Sequence, residues 1–162
     1  MAVRLIITGG TFDKRYDEIK GKLTLDQTHL PEILDLVRCK LDIQLEINQL
    51  IDSLYMEEEG RQSILESCKN APEDRIVVTH GTDTMAKTAA VLGQAGLDKT
   101  IVLTGAMRPY SVGKSDATFN LGSALIATQT LPAGVYIAMN GKIFTWDNVE
   151  KNRELGIFET LD

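Results

Sequence analysis

Two cysteines, Cys39 and Cys68, and two histidines, His29 and His80, are all that this 162-residue chain holds of either type. The cysteines stand far apart with no CxxC, so the chain has no disulfide framework. They are expected as reduced thiols in helical segments. No HExxH and no paired CxxC is present, which excludes the familiar zinc spacings, and no metal or other cofactor is expected. Long apolar runs are also missing. The run at residues 3–7 reaches Thr8-Gly9-Gly10 too soon to be a signal-peptide core or a membrane span, so a cytoplasmic protein is expected. A basic surplus is lacking as well: 17 Lys and Arg stand against 23 Asp and Glu, for a net charge of −6. With no Lys/Arg run, this excludes nucleic acid and anionic membrane as partners.

What is present suits an ordinary globular domain. Hydrophobic residues make up 43% and charged residues 25%, which argues against disorder. No repeat, low-complexity segment or linker divides the chain, so residues 1–162 are expected to form one domain. A chain of this size buries roughly 70% of its unfolded surface and needs no staple.

Strand-length apolar runs recur at 3–7, 43–51, 75–78, 100–103, 134–139 and 142–146. Ile76-Val77-Val78 and Ile101-Val102-Leu103 are continuous rather than alternating, as in strands covered on both faces. Helical stretches fall between the runs, at 30–37, 57–67, 84–95 and 115–130. Pro31 sits in the first turn of the first, where its missing N–H costs nothing. Gly96 suits the C′ position of the third, and Ser115 or Asp116 the N-cap of the fourth. The alternation predicts an α/β fold, a doubly wound and mainly parallel sheet with helices on both faces. The polar stretch 12–25, with Gly21 between two lysines, reads as a mobile, lid-like surface loop.

Ligands of open parallel sheets bind outside the carboxyl ends of the strands. Those ends read Thr8-Gly9-Gly10-Thr11, Asp52-Ser53, Thr79-His80-Gly81-Thr82-Asp83-Thr84 and Thr104-Gly105-Ala106-Met107-Arg108-Pro109. Glycines allow close backbone approach, and hydroxyls supply compact donors and acceptors, which is what a small polar substrate needs. Each piece alone has a plainer reading. Thr8-Gly9-Gly10-Thr11 suits a simple strand-to-loop turn. Thr82 or Asp83 suits a helix cap, although free N–H groups there also hold an anion or oxyanion. Gly113-Lys114-Ser115 is a coincidental P-loop fragment, because Arg108 stands where the first glycine belongs. Lys99 precedes its strand and is expected at the far end of the sheet. Lys151 follows the last strand-like run and returns to the pocket side, or lies on the solvated face 150–154.

Taken in order, Thr8-Gly9-Gly10-Thr11, His80-Gly81-Thr82-Asp83-Thr84-Met85, Gly105-Ala106-Met107-Arg108-Pro109, Phe119-Asn120-Leu121 and the segment 134–140 resemble the N-terminal domain of the bacterial-type L-asparaginase (asparaginase/glutaminase) family. The resemblance implies an amidohydrolase that splits a side-chain amide into carboxylate and ammonia, with L-asparagine as substrate and L-glutamine beside it. It places Thr11 on the family nucleophile, Tyr16 on its loop tyrosine, and Thr82, Asp83 and Lys151 on its second polar chain. Ser53 falls on the serine that holds the substrate α-carboxylate, and Gly10, Gly81 and Ala106 on the substrate-binding backbone. A threonine hydroxyl is a weak nucleophile that needs a base or a polarising partner. A lysine, ordinarily near pKa ~10.4, serves as base only where burial lowers it. Which threonine attacks stays open.

Three departures from the family pattern stand out. Longer members add a second domain that supplies an acidic residue across a subunit interface, and nothing here matches it. Leu54 and Tyr55 follow Ser53 where polar residues are usual. Lys151 lies between Glu150 and Asn152 rather than among threonines, so 147–162 is expected as a diverged C-terminal arm. A homodimer or higher homo-oligomer is expected, with 142–146 and the tail as its contact. Two other functions compete: a non-hydrolytic amino-acid or dicarboxylate binding protein on the same scaffold, and an amidotransferase-like subunit delivering ammonia to a partner.

Overall fold

The computed structural model describes all of residues 1–162. Its main sheet contains β1 (Ala2–Gly9), β4 (Asp42–Ile51), β5 (Arg75–Thr79), β6 (Thr100–Thr104), β7 (Gly134–Met139) and β8 (Lys142–Thr145). The order is β4-β1-β5-β6-β7-β8, parallel from β4 through β7, with β8 antiparallel at the edge. The α/β doubly wound sheet expected from the sequence is therefore the fold. The antiparallel return is a tight hairpin in which Asn140 and Gly141 both take positive φ, 49° and 87°. This is the Asn-Gly turn that matches strand twist, and its dipeptide stands in the sequence.

Strand alternation distributes the apolar side chains between two cores. Ile6, Ile76, Val78, Ile101, Leu103 and Ile137 point to one face, where α2 (Glu58–Asn70) and α3 (Met85–Gln94) cover them with Ile64, Cys68, Met85 and Leu92. Leu5, Ile7, Val77 and Val102 point to the other, covered by α1 (Leu30–Leu36) and α4 (Ala117–Thr130) through Ile33, Leu121 and Ala124. Each such side chain contributes about 1.5–3 kcal/mol when fully buried. Residues of β5 and β6 serve both cores, which is why their runs are unbroken in the sequence.

Two segments differ from expectation. Residues 12–25 are not an irregular loop. A 3₁₀ turn, Thr11–Asp13, leads into a ribbon of β2 (Arg15–Asp17) and β3 (Lys22–Thr24). The Asp17 carboxylate accepts the N–H groups of Ile19 and Lys20, and Gly21 closes the turn at φ 66°. The tail from Asp147, expected only as a diverged C-terminal arm, is likewise built of regular structure. It forms a second ribbon, β9 (Glu150–Asn152) against β10 (Ile157–Glu159), anchored by buried Val149 and Phe158 in the first core. Cys68 lies in α2 as expected, whereas Cys39 follows α1 outside any helix; both are free thiols. Burial pushes the Cys68 thiol up to about 12, so it is inert. Lys99 does lie at the far end, donating to the Cys68 and Ala71 carbonyls at the end of α2.

Trp146 closes the first core by laying its indole against Gly93 of α3, so closely that a Cβ there would overlap the ring. Gly93→Ala gains about 0.5–1 kcal/mol of helix propensity. It loses more by displacing the ring, because overpacking costs typically 1–3 kcal/mol. A net loss of about 1 kcal/mol in urea unfolding is expected, with a red shift in the emission of this single tryptophan. Unchanged stability and emission would contradict the packing described.

Candidate active site

Strand order reverses between β1 and β5, and the chain ends leaving those strands are pressed together there. Gly10, at φ 78°, lies directly on the backbone of Gly81, where any Cβ would collide. Gly81 in turn lies on Ser53, whose Oγ would be 2.5 Å from a Cβ at position 81. Three loops, following β1, β4 and β5, thus meet through two glycines. Thr11 and Thr82, the next residues after those glycines, start from adjacent backbone. Gly10 N–H donates to the Ile51 carbonyl at 2.9 Å, which fixes the first loop on β4.

Around this contact the expected residues gather. Lys151 on β9 reaches across from the tail, its Nζ 2.7 Å from Thr82 Oγ1 and 2.9 Å from Asp83 Oδ1. Thr82 is buried, and the N–H groups of Gly81, Thr82 and Asp83 have no acceptor within the protein. These three unpaired donors lie in the turn between β5 and Thr84, the N-cap of α3. Ser53 is buried; its Oγ accepts Thr84 N–H at 3.2 Å and its carbonyl accepts the Thr84 hydroxyl at 2.9 Å. The hydroxyl proton of Ser53 stays available for a ligand. Thr11 is half-buried, and its hydroxyl takes no part in the hydrogen bonding of the site.

Tyr16 is not brought to this cluster. It is 60% exposed on β2, in the ribbon that packs against the turn Tyr110–Val112. Ala106 is buried in the second core, so anything it offers a ligand comes from its backbone.

The supporting residues are less visible in the sequence. Asp116 stands at the N-cap position of α4, but its side chain makes no cap bond: Ser115 Oγ accepts the Ala117 N–H, while the Asp116 carboxylate turns to the loop after β6. There it accepts Met107 and Arg108 N–H at 3.0 and 3.1 Å, together with the side-chain amides of Asn120 and Asn140. Burial pushes the Asp116 carboxyl up, but these donors outweigh it and hold it below the usual range. Its i,i+4 spacing to Asn120 is the one local signal. Lys14 pairs with Asp52 at 2.5 Å and ties the loop after β1 to that after β4. Burial raises the Asp52 carboxyl; Lys14, the Leu54 N–H and the charge of Lys151 together leave it lowered.

His80 sets the turn from β5 into α3. It is fully buried: its Nδ1–H donates to the Gly81 carbonyl at 2.7 Å, and its Nε2 accepts the Thr88 hydroxyl at 2.8 Å. The tautomer follows from those partners.

An open parallel sheet that collects threonines, a carboxylate and a lysine over its switch point defines a doubly wound α/β protein with a polar site at its strand ends. The chain belongs to the asparaginase family: residues 2–157 match the family model for the asparaginase N-terminal domain. It is 31% identical over 164 residues to an L-asparaginase of Thermococcus kodakarensis, covering 97% of this chain and 49% of that protein. It is 36% identical over 151 residues to a glutamyl-tRNA(Gln) amidotransferase subunit of Methanococcus vannielii, covering 87% of this chain and 34% of the relative. The solved Thermococcus kodakarensis L-asparaginase superposes with a TM-score of 0.88 at 30% identity over 99% of this chain and 51% of that one. A probable cytoplasmic L-asparaginase of Campylobacter jejuni gives 0.79 at 30% identity, over 98% and 51%. The chain therefore spans a third to a half of the length of these relatives. No helix is long and apolar enough to cross a membrane.

Burial depresses the His80 imidazole from 6.5 to about 4, and the nearby Arg61 charge adds to this. Between those values the unfolded chain binds a proton that the folded chain refuses. The His80 contribution is therefore complete above pH 6.5 and is lost as pH falls towards 4. Between pH 7 and pH 5 a loss of about 2 kcal/mol is expected in urea unfolding. Asp13, whose carboxyl burial pushes up, acts in the opposite sense at lower pH. The loss is expected to vanish in His80→Gln, and its persistence there would assign it to another group.

Proposed function

We propose that this chain carries an amidohydrolase site that converts L-asparagine to L-aspartate and ammonia through a threonine nucleophile. The observation that carries the reading is the contact of Lys151 with both Thr82 and Asp83, next to the junction of Gly10 and Gly81 that Thr11 follows in the chain. The relatives named as L-asparaginases support it. In this reading the α-carboxylate takes the Ser53 hydroxyl and the α-ammonium approaches Asp83. The side-chain amide carbonyl lies between the two threonines.

Thr11 Oγ attacks the amide carbon, and the Gly81 and Thr82 N–H groups receive the oxyanion; one such donor is worth about 2.7–4 kcal/mol of barrier. The hydroxyl proton passes to the amide nitrogen, with Thr82 and Lys151 steering it, and ammonia leaves. Water then hydrolyses the threonyl ester, releasing aspartate and restoring the Thr11 hydroxyl. Tyr16 exchanges the proton with Thr11 when the β2–β3 ribbon folds over the pocket, since transfer needs heavy atoms about 2.6–3.2 Å apart. The protein of this reading is cytoplasmic and homo-oligomeric, with β8 as a free edge strand and Ile143 exposed beside it. A second reading is favoured by the amidotransferase relatives: the same chemistry on L-glutamine, its ammonia passed to a partner protein.

Purified protein is expected to release ammonia from L-asparagine. Thr11→Ala should fall to the buffer blank with an unchanged circular dichroism spectrum, because that hydroxyl supports nothing else. Tyr16→Phe should lower kcat by roughly 10²–10⁴-fold with little effect on KM. Full activity in Thr11→Ala would overturn the assignment. Faster release from L-glutamine that appears only on adding a partner protein would favour the second reading.

A further inference from the structure

One cation more stands at this pocket than its carboxylates need. Asp83 is already paired with Lys151 at 2.9 Å, and the guanidinium of Arg153 faces the same carboxylate, its Nε 3.9 Å from Oδ1. Arg153 Nη2 also donates to the Asp83 carbonyl at 3.3 Å. On the other side Lys14 neutralises Asp52. Lys14, Lys151 and Arg153 against Asp52 and Asp83 leave a local charge of +1 (three minus two).

The ribbon imposes this arrangement. Lys151 on β9 and Arg153 in the turn that follows flank Asn152, whose side chain turns the other way to bond Glu159 and the Leu155 N–H, and both cations face the Asp83 carboxylate. Leu54, which follows Ser53, is 53% exposed and offers an incoming amine no acceptor from its side chain.

We propose that Arg153 is a specificity-determining residue that occupies the α-ammonium position at Asp83, so that the pocket ranks its ligands by the charge carried on the α-carbon. An arriving ammonium must displace the guanidinium or share one carboxylate with two cations, and like charges a few ångströms apart repel. A dicarboxylate, or an ω-amide acid without the amine, meets no such competition. The inference rests on the reading of the pocket as a site for ω-amide acids and their products.

L-Aspartate and succinate differ by the amine alone, and isothermal titration of each into wild type, Arg153→Gln and Arg153→Lys reads the effect directly. The ratio of aspartate to succinate affinity is expected to rise roughly fivefold in Arg153→Gln and to stay at the wild-type value in Arg153→Lys, which keeps the charge. The side chain is 60% exposed, so neither substitution disturbs the core. An unchanged ratio in Arg153→Gln overturns the inference, and so does the failure of both ligands to bind. Ammonia release from L-asparagine, assayed on the same preparations, separates the two claims. A shifted ratio without ammonia keeps the role of Arg153 and overturns the proposed reaction; ammonia with an unshifted ratio does the reverse.

Discussion

The contact of two backbones at Gly10 and Gly81 is the constraint on which the rest of the pocket depends. β1 and β5 are hydrogen-bonded neighbours, yet their connections leave in opposite directions, and the chain ends would splay apart if side chains stood between them. With glycine on both sides they touch, and the second glycine extends the contact to Ser53. A methyl group at either glycine would strike backbone or the Ser53 side chain. The junction therefore sets how close the backbones that carry Thr11, Ser53 and Thr82 come to one another.

Around that junction the buried polar groups are fixed by long-range partners. His80 closes the β5–α3 turn through Thr88 and the Gly81 carbonyl; Thr84 grips Ser53 by two hydrogen bonds; Asp116 holds the loop after β6. Such networks in a low dielectric are costly when incomplete and rigid when satisfied. The Thr11 hydroxyl, the Ser53 hydroxyl proton and the N–H groups of Gly81, Thr82 and Asp83, which the proposed chemistry uses, have no partners within the protein; nor has the buried hydroxyl of Thr79 at the end of β5.

The parallel sheet, its four helices and the loops that converge are legible from runs of β-branched residues and the glycines and hydroxyls that end them. The less legible parts share a physical cause. The β2–β3 ribbon has three-residue strands of mostly polar side chains, with Tyr16 and Leu23 exposed, too short to show a period. It is held by Asp17 and a glycine turn rather than by a buried face. The tail is ambiguous in sequence because Lys151 and Arg153 stand in a charged run that also suits solvent. Only Val149 and Phe158, buried under that ribbon, decide that the run folds back over Asp83. Family resemblance places Lys151, whereas Arg153 carries no signal at all. Asp116 reads as a cap because its partners, Met107 and Arg108, belong to a loop that periodicity does not connect to α4.

The central claim is that one small pocket, built over the Gly10–Gly81 junction, orients a four-carbon amino acid with its side chain between two threonines. A crystal structure with L-aspartate bound tests it most directly. The expected result is an α-carboxylate on Ser53 Oγ, with the side-chain carboxylate between the Thr11 and Thr82 hydroxyls and near the N–H groups of Gly81 and Thr82. Aspartate bound elsewhere, or with its side-chain carboxylate turned away from both threonines, would contradict the account.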